Sequence, residues 1–187
     1  MKTKGFCAVA LAVLLAGPMV AEAKELAGVK APDTLNTGGT TLVLNGLGLR
    51  KKSIVSVYVG ALYLAAPSAD AAAILAADAP KAVSLHFMRS VTKVQLVDSF
   101  KEGFAANVKE KAAAQDANIQ KLYGMLSDAK EGDAMLFAYV PGKGTAVSKG
   151  DKAIGTIEGK EFADVIFALW LGPKPPSEDL KKGMLGK

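Results

Sequence analysis

The chain has one cysteine, one histidine and one tryptophan in 187 residues, and only 6% of it is aromatic. Cys7 lies in the N-terminal apolar stretch, so the rest of the chain has no thiol for a disulfide, a cysteine nucleophile, a thiolate zinc site or an iron–sulfur cluster. With His86 as the sole imidazole, a Ser-His-Asp triad has one possible centre and a multi-histidine metal site has none. Long runs of one charge are also missing. Against 18 Asp and Glu stand 23 Lys and Arg, a formal charge of +5, too mild and too scattered for a nucleic-acid footprint. Half the residues are hydrophobic and 22% are charged. That balance excludes a disordered, collagen-like or disulfide-scaffold chain and leaves material for one globular domain.

Residues 1–23 read as a secretory signal. Lys2 and Lys4 form a basic n-region and Ala8 to Ala16 an apolar h-region, while Ala21-Glu22-Ala23 puts small residues before Lys24. The apolar run is too short for a spanning helix, the alternative being an uncleaved anchor. Cleavage after Ala23 leaves a domain of residues 24–187 with no membrane span and no cysteine.

Beyond the leader, Lys24 to Thr40 reads as an extended opening segment with turn signals at Pro32-Asp33 and Gly38-Gly39. Thr41 to Leu44 alternates and meets Asn45-Gly46, a hairpin dipeptide. Ser53 to Leu64 is the strongest strand, β-branched and apolar on both faces, and Gly60 within it predicts a bulge or a close backbone approach. A short Ala-rich helix capped by Ser68-Ala69-Asp70 precedes a strand over Ala82 to Met88. From Thr92 the longest helical pattern begins, with Val94, Val97, Phe100, Phe104 and Val108 as its apolar stripe. A second helix carries Ile119, Leu122, Tyr123 and Leu126. Three closely spaced strands follow, Ala134 to Val140, Thr145 to Ser148 and Ala153 to Ile157, then a helix over Glu161 to Leu171 and a last one capped by Ser177. This pattern is α+β: an antiparallel sheet covered by helices on one side, in one domain.

The run Asn45-Gly46-Leu47-Gly48-Leu49-Arg50, with the β-segment ending Gly60-Ala61-Leu62-Tyr63, resembles the opening of chalcone isomerase-like proteins. Gly155-Thr156-Ile157-Glu158-Gly159 and the helix ending Trp170-Leu171-Gly172 resemble the end of the same domain, and the likeness extends from about Gly28 to Gly186. Within that group the chain resembles the signal-bearing bacterial members. The resemblance implies an open-faced β-sandwich: a curved antiparallel sheet, helices on one face, and a ligand cleft between them. It also implies the periplasm or the exterior as the location.

Within that family, isomerases close a flavanone ring with an arginine, a threonine, a tyrosine, an asparagine and a further hydroxyl. Here the arginine is Arg50, whereas the other positions fall at Tyr58, near Gln95, near Glu102 and near Ala153 or Ile154. Four of five have changed type. The family's fatty-acid-binding branch holds a carboxylate with an arginine and a tyrosine, which the resemblance maps to Arg50 with Tyr58 or Tyr63. A guanidinium forks onto a carboxylate, and a phenol adds a third short bond. Tyr58 and Tyr63 differ in strand parity, so only a bulge at Gly60 would let both meet one ligand; otherwise Tyr58, which shares parity with Arg50, is the candidate. His86 and Trp170 read as structural.

The leading expectation is therefore an exported, non-catalytic binder of a small apolar carboxylate such as a fatty acid. It needs no cofactor or metal and has no nucleic-acid partner. The alternatives are a chalcone-isomerase-type intramolecular lyase using Arg50 and Tyr58, and an envelope module whose partner is another protein.

Overall fold

Gly38 (φ 55°) and Gly39 (φ 82°) are both left-handed, and they turn β3 (Thr34–Thr37) tightly into β4 (Thr40–Lys52) with Thr37 paired to Thr40. A two-residue hairpin needs positive φ at both central positions, which glycine provides without strain. Each later strand pairs antiparallel with the one before it: β5 (Val55–Leu64), β6 (Lys81–Phe87), β7 (Ala134–Val140), β8 (Gly144–Lys149) and β9 (Lys152–Ile157). The result is a seven-stranded meander in the order β3 to β9, preceded by a small hairpin of β1 (Lys24–Leu26) and β2 (Val29–Ala31). The computed structural model describes residues 23–187, so the leader sequence, apart from Ala23, lies outside the described residues.

Among the described residues six helices accompany the sheet: α1 (Ala71–Ala76), α2 (Lys93–Asn107), α3 (Lys109–Ala114), α4 (Asp116–Met125), α5 (Lys160–Leu171) and α6 (Glu178–Met184). Local chemistry sets their starts. Asp70 accepts from the backbone N–H groups of Ala72 and Ala73, Thr92 and Gln95 form a reciprocal capping box, and Ser177 accepts from Leu180. Helix α5 is buried from Phe162 to Leu171 except at Asp164, and it forms the centre of the main core. No helix among the described residues is long and apolar enough to cross a membrane.

The sheet separates two cores. Tyr58, Leu62 and Leu64 of β5 and Val83, Leu85 and Phe87 of β6 face the helices. The intervening Ala61, Tyr63 and Ala82 join Ala31, Leu42 and Leu44 in a smaller cluster on the other face, as the period of two requires. The architecture is the α+β one expected from the sequence: a curled antiparallel sheet with its helices on one face.

Three local expectations are corrected. Asn45-Gly46 is not a hairpin. Strand β4 runs straight through it, and Asn45 forms a bulge, since Leu44 pairs with Tyr63 and Gly46 with Leu62. Tertiary partners override the turn preference: the Asn45 amide donates to Ser68 O (2.9 Å) and Met184 O (2.8 Å) and accepts from Ser68 N (2.8 Å). Secondly, Gly60 carries no bulge. The second bulge of this pair falls at Val57, between Arg50–Tyr58 and Lys51–Ser56, while Gly60 supplies the close approach, because a Cβ there would stand 3.0 Å from Leu180 Cδ1. Thirdly, the inward stripe of α2 is Leu96, Phe100 and Phe104, with Val97 and Val108 half-buried and Val94 left 68% exposed. The helix is rotated so that Leu96, with Phe100 and Phe104, takes the buried place expected for Val94.

The Asn45 bulge has a large effect on the strand. One extra residue inverts which side chains face which layer. Before it, Leu42 and Leu44 pack into the smaller cluster; after it, Gly46, Gly48 and Arg50 lie on the helix face, opposite Leu62, Gly60 and Tyr58. Backbone atoms of α6 sit directly on the glycines. A Cβ at Gly48 would fall 2.0 Å from Leu180 O, and one at Gly46 2.2 Å from Gly183 O. Arg50 is the next position on that face, beyond the end of the glycine seat.

Candidate functional site

Between the β4–β5 end of the sheet and helices α2 and α5 lies a cavity of about 460 Å³, within the range of small-molecule sites. Its floor is apolar and buried: Leu85 and Phe87 from β6, Leu96 and Phe100 from α2, Leu169 and Trp170 from α5. Its mouth is polar and exposed, with Lys52, Arg89, Ser90 and Gln95. Arg50, half-buried, and Tyr58, buried, line the wall between β4 and β5.

The aromatic floor is rigidly interlocked. The rings of Phe100 and Trp170 meet edge to face at 6.0 Å and 89°, Phe137 backs Trp170 at 5.4 Å, and Tyr58 meets Phe87 at 6.0 Å and 68°. Trp170 Nε1 donates to the Tyr58 hydroxyl at 3.2 Å. That bond uses an oxygen lone pair and leaves the phenolic proton to be donated elsewhere. Burial pushes the Tyr58 hydroxyl up to about 12, against the opposing pull of the Arg50 cation and the Trp170 N–H. Tyr58 is therefore a neutral hydrogen-bond donor at any ordinary pH.

Arg50 and Tyr58 are directly paired across the strands, and the guanidinium carbon lies 5.7 Å from the Tyr58 ring centroid, a cation–π contact. The Arg50 Nε is buried yet has no hydrogen-bond partner, and none of the ion pairs among the described residues involves Arg50. A buried N–H of a cation without an acceptor is costly. Arg50 as a whole lines the cavity, so the wall holds a cation whose hydrogen-bonding capacity is not used up by the described residues.

The other sequence candidates separate. Tyr63 lies on the opposite face, 1% exposed, and donates to Pro32 O at 3.1 Å; the structure does not bring it to Arg50 and Tyr58. Burial and the neighbouring Asp33 charge push it up to about 12. The missing bulge at Gly60 keeps the two tyrosines apart. His86 also faces away from the helices, 3.1 Å from Ser84 Oγ, and burial holds its pKa below 6.5. Gln95 and Glu102 line the cavity, whereas Ala153 and Ile154 are on β9 and do not. Trp170 proves to be both core and cavity wall. Its role and that of the floor residues Leu96 and Leu169 were missed in the sequence, because apolar linings and apolar cores have one composition.

The chain matches the chalcone isomerase-like family over residues 23–186, and it belongs to that family. No curated protein matches it by sequence. Among solved structures it is similar to the fatty-acid binding protein of Arabidopsis thaliana, with a TM-score of 0.67 and 16% identity, over 84% of this chain and 92% of that one. At such identity the likeness concerns the fold.

Proposed function

We propose that the protein is a non-catalytic carrier of a small apolar carboxylate, a fatty acid being the representative ligand. The observation that carries this reading is the buried Arg50 Nε, which has no partner among the described residues, on a guanidinium that lies against the ring of a neutral phenol with a free proton. A carboxylate would accept from both, and its tail would run along Leu85, Phe87, Leu96, Phe100 and Leu169 out of water. Binding without turnover is supported by the same geometry. Burial keeps Tyr58 protonated, so it offers a hydrogen bond and no base, and the only imidazole of the chain is on the far face of the sheet. The basic, apolar and small-residue pattern of residues 1–23 supports export to the periplasm or beyond.

Native mass spectrometry of the chain from Lys24 to Lys187, purified gently from cells, tests the reading beside its Arg50→Ala variant. The expected result is a co-purifying mass in the fatty-acid range that the variant lacks. Ligand-free protein in both samples, together with no uptake of added fatty acid, would overturn it.

A further inference from the structure

The β4–β5 connection breaks a local rule. Lys52 pairs with Val55, so Ser53 and Ile54 form a two-residue turn, with Ser53 at φ 56°. Such turns favour Gly, Asn and Asp. Here the tip is Ile54, 94% exposed and packed on nothing. Among the described residues the large hydrophobics that stand exposed are Ile54, Val55 and Val94; Val55 lines the cavity, and each of the others is next in sequence to a residue that does. Ile54 precedes Val55, and Val94 precedes Gln95 on α2, one helical turn before Asp98, which also lines the cavity. Single exposed apolar residues need no explanation, but three on the two elements that border one cavity do.

Cations accompany them. Lys51 and Lys52 flank the turn, Arg89 lines the mouth, and Lys93 adjoins Val94; all four are exposed, and none takes part in the ion pairs among the described residues. The acids at this end are Asp128, whose carboxylate accepts from the Lys93 backbone N–H at 2.7 Å, and Asp98 and Glu102, one and two turns further along α2. Asp98 and Glu102 line the cavity itself, while the exposed charged residues next to the apolar tips, on the β4–β5 turn and at the start of α2, are basic.

We propose that this rim, Ile54 and Val94 with Lys51, Lys52, Arg89 and Lys93, docks the protein on an anionic lipid surface with the cavity mouth facing the bilayer. Lipid fits the rim better than a protein does. Hydrocarbon accepts a protruding isoleucine without a shaped pocket, and unpaired lysines around it meet anionic headgroups without fixed geometry. The docking stands apart from the carrier reading, because it requires no bound ligand. If both hold, an apolar carboxylate would pass between cavity and bilayer without crossing water, where its tail is poorly solvated.

The test is flotation of the Lys24–Lys187 chain, which contains every strand and helix described, with vesicles of phosphatidylcholine alone and of a two-to-one mixture with phosphatidylglycerol. Binding to the mixed vesicles is expected, weakening as salt rises. In an Ile54→Asn, Val94→Ser double variant the apparent affinity should fall by roughly tenfold or more with an unchanged melting curve, since both positions are exposed. Arg50→Ala should still float, which distinguishes failure of the carrier reading from failure of docking. No association with either vesicle, or association that the double variant leaves intact, would overturn the proposal and point to a protein as the occupant of the rim.

Discussion

Arg50 and Tyr58 oppose each other on β4 and β5, and the phenol ring that supports the guanidinium from one side is itself fixed from behind by Trp170. The arginine is thereby oriented while its Nε stays uncommitted. Substitution of Arg50 by Met removes that buried, unpartnered donor and keeps the side-chain volume. In ligand-free protein the variant should melt no lower than wild type, and up to about 1–3 kcal/mol more stably, while losing ligand. A clear drop in the denaturation midpoint would show that Arg50 serves the fold instead.

Tyr58→Phe divides the two duties of that residue. It strands the buried Trp170 N–H, at a cost of about 1–3 kcal/mol, and removes one donor from the cavity. Calorimetric titration with a fatty acid should show affinity weakened by roughly tenfold, as expected for a lost hydrogen bond to a charged group. Tyr63→Phe should leave binding unaltered, since its hydroxyl serves Pro32 on the opposite face.

Gly48→Ala tests the seat of α6. The added methyl would collide with Leu180 O, a backbone atom that moves only with the whole helix. Overpacking of this sort costs roughly 1–3 kcal/mol and more where backbone must shift, so the variant should sit at or above the upper end in chemical denaturation. Gly124→Ala, where a Cβ meets nothing within 4 Å, is the matched control and should be neutral or slightly stabilising.

His86 gives the fold an acid sensitivity. Its pKa in the folded protein lies below 6.5 because burial disfavours the imidazolium. Between that lowered value and 6.5 the unfolded chain binds more protons than the folded one, so stability is full above about pH 6.5 and declines as pH falls. Melting temperature measured from pH 8 to pH 5 should fall on the acid side, and His86→Gln should flatten that limb. A proton-NMR midpoint for His86 at or above 6.5 would contradict the assignment.

Lys81 illustrates what the sequence concealed. A lysine at a strand start reads as surface, yet it is 2% exposed, and its ammonium donates to Ile74 O (2.7 Å) and Ala77 O (2.8 Å), closing the C-terminal end of α1. Periodicity disclosed the strands and helices well, because each buried face repeats at its own interval. It could not disclose the Asn45 bulge, whose cause is a carbonyl 139 residues away at Met184. Nor could it fix the rotation of α2, since Val94, Val97, Phe100 and Phe104 make as good a stripe on paper as Leu96, Phe100 and Phe104 do in the fold. Arg50 and Tyr58 were legible as a pair through the resemblance; their shared parity puts them on one face only because of the bulge at Val57, which nothing in the sequence announces. The unpartnered Nε was visible only in three dimensions.

The single surplus residue at Asn45 acts on β4 as an inserted letter acts on a phrase read two letters at a time. Upstream, the strand addresses one layer of the protein; downstream, it addresses the other. The cavity arginine therefore owes its position to a matter of count. Substitutions along β4 would tune the site, but loss or gain of one residue near Asn45 would turn Arg50 out toward the opposite layer and send a neighbour into its place. A change of length alone at this point would thus alter the chemistry shown to the cavity while the composition of β4 stayed almost the same.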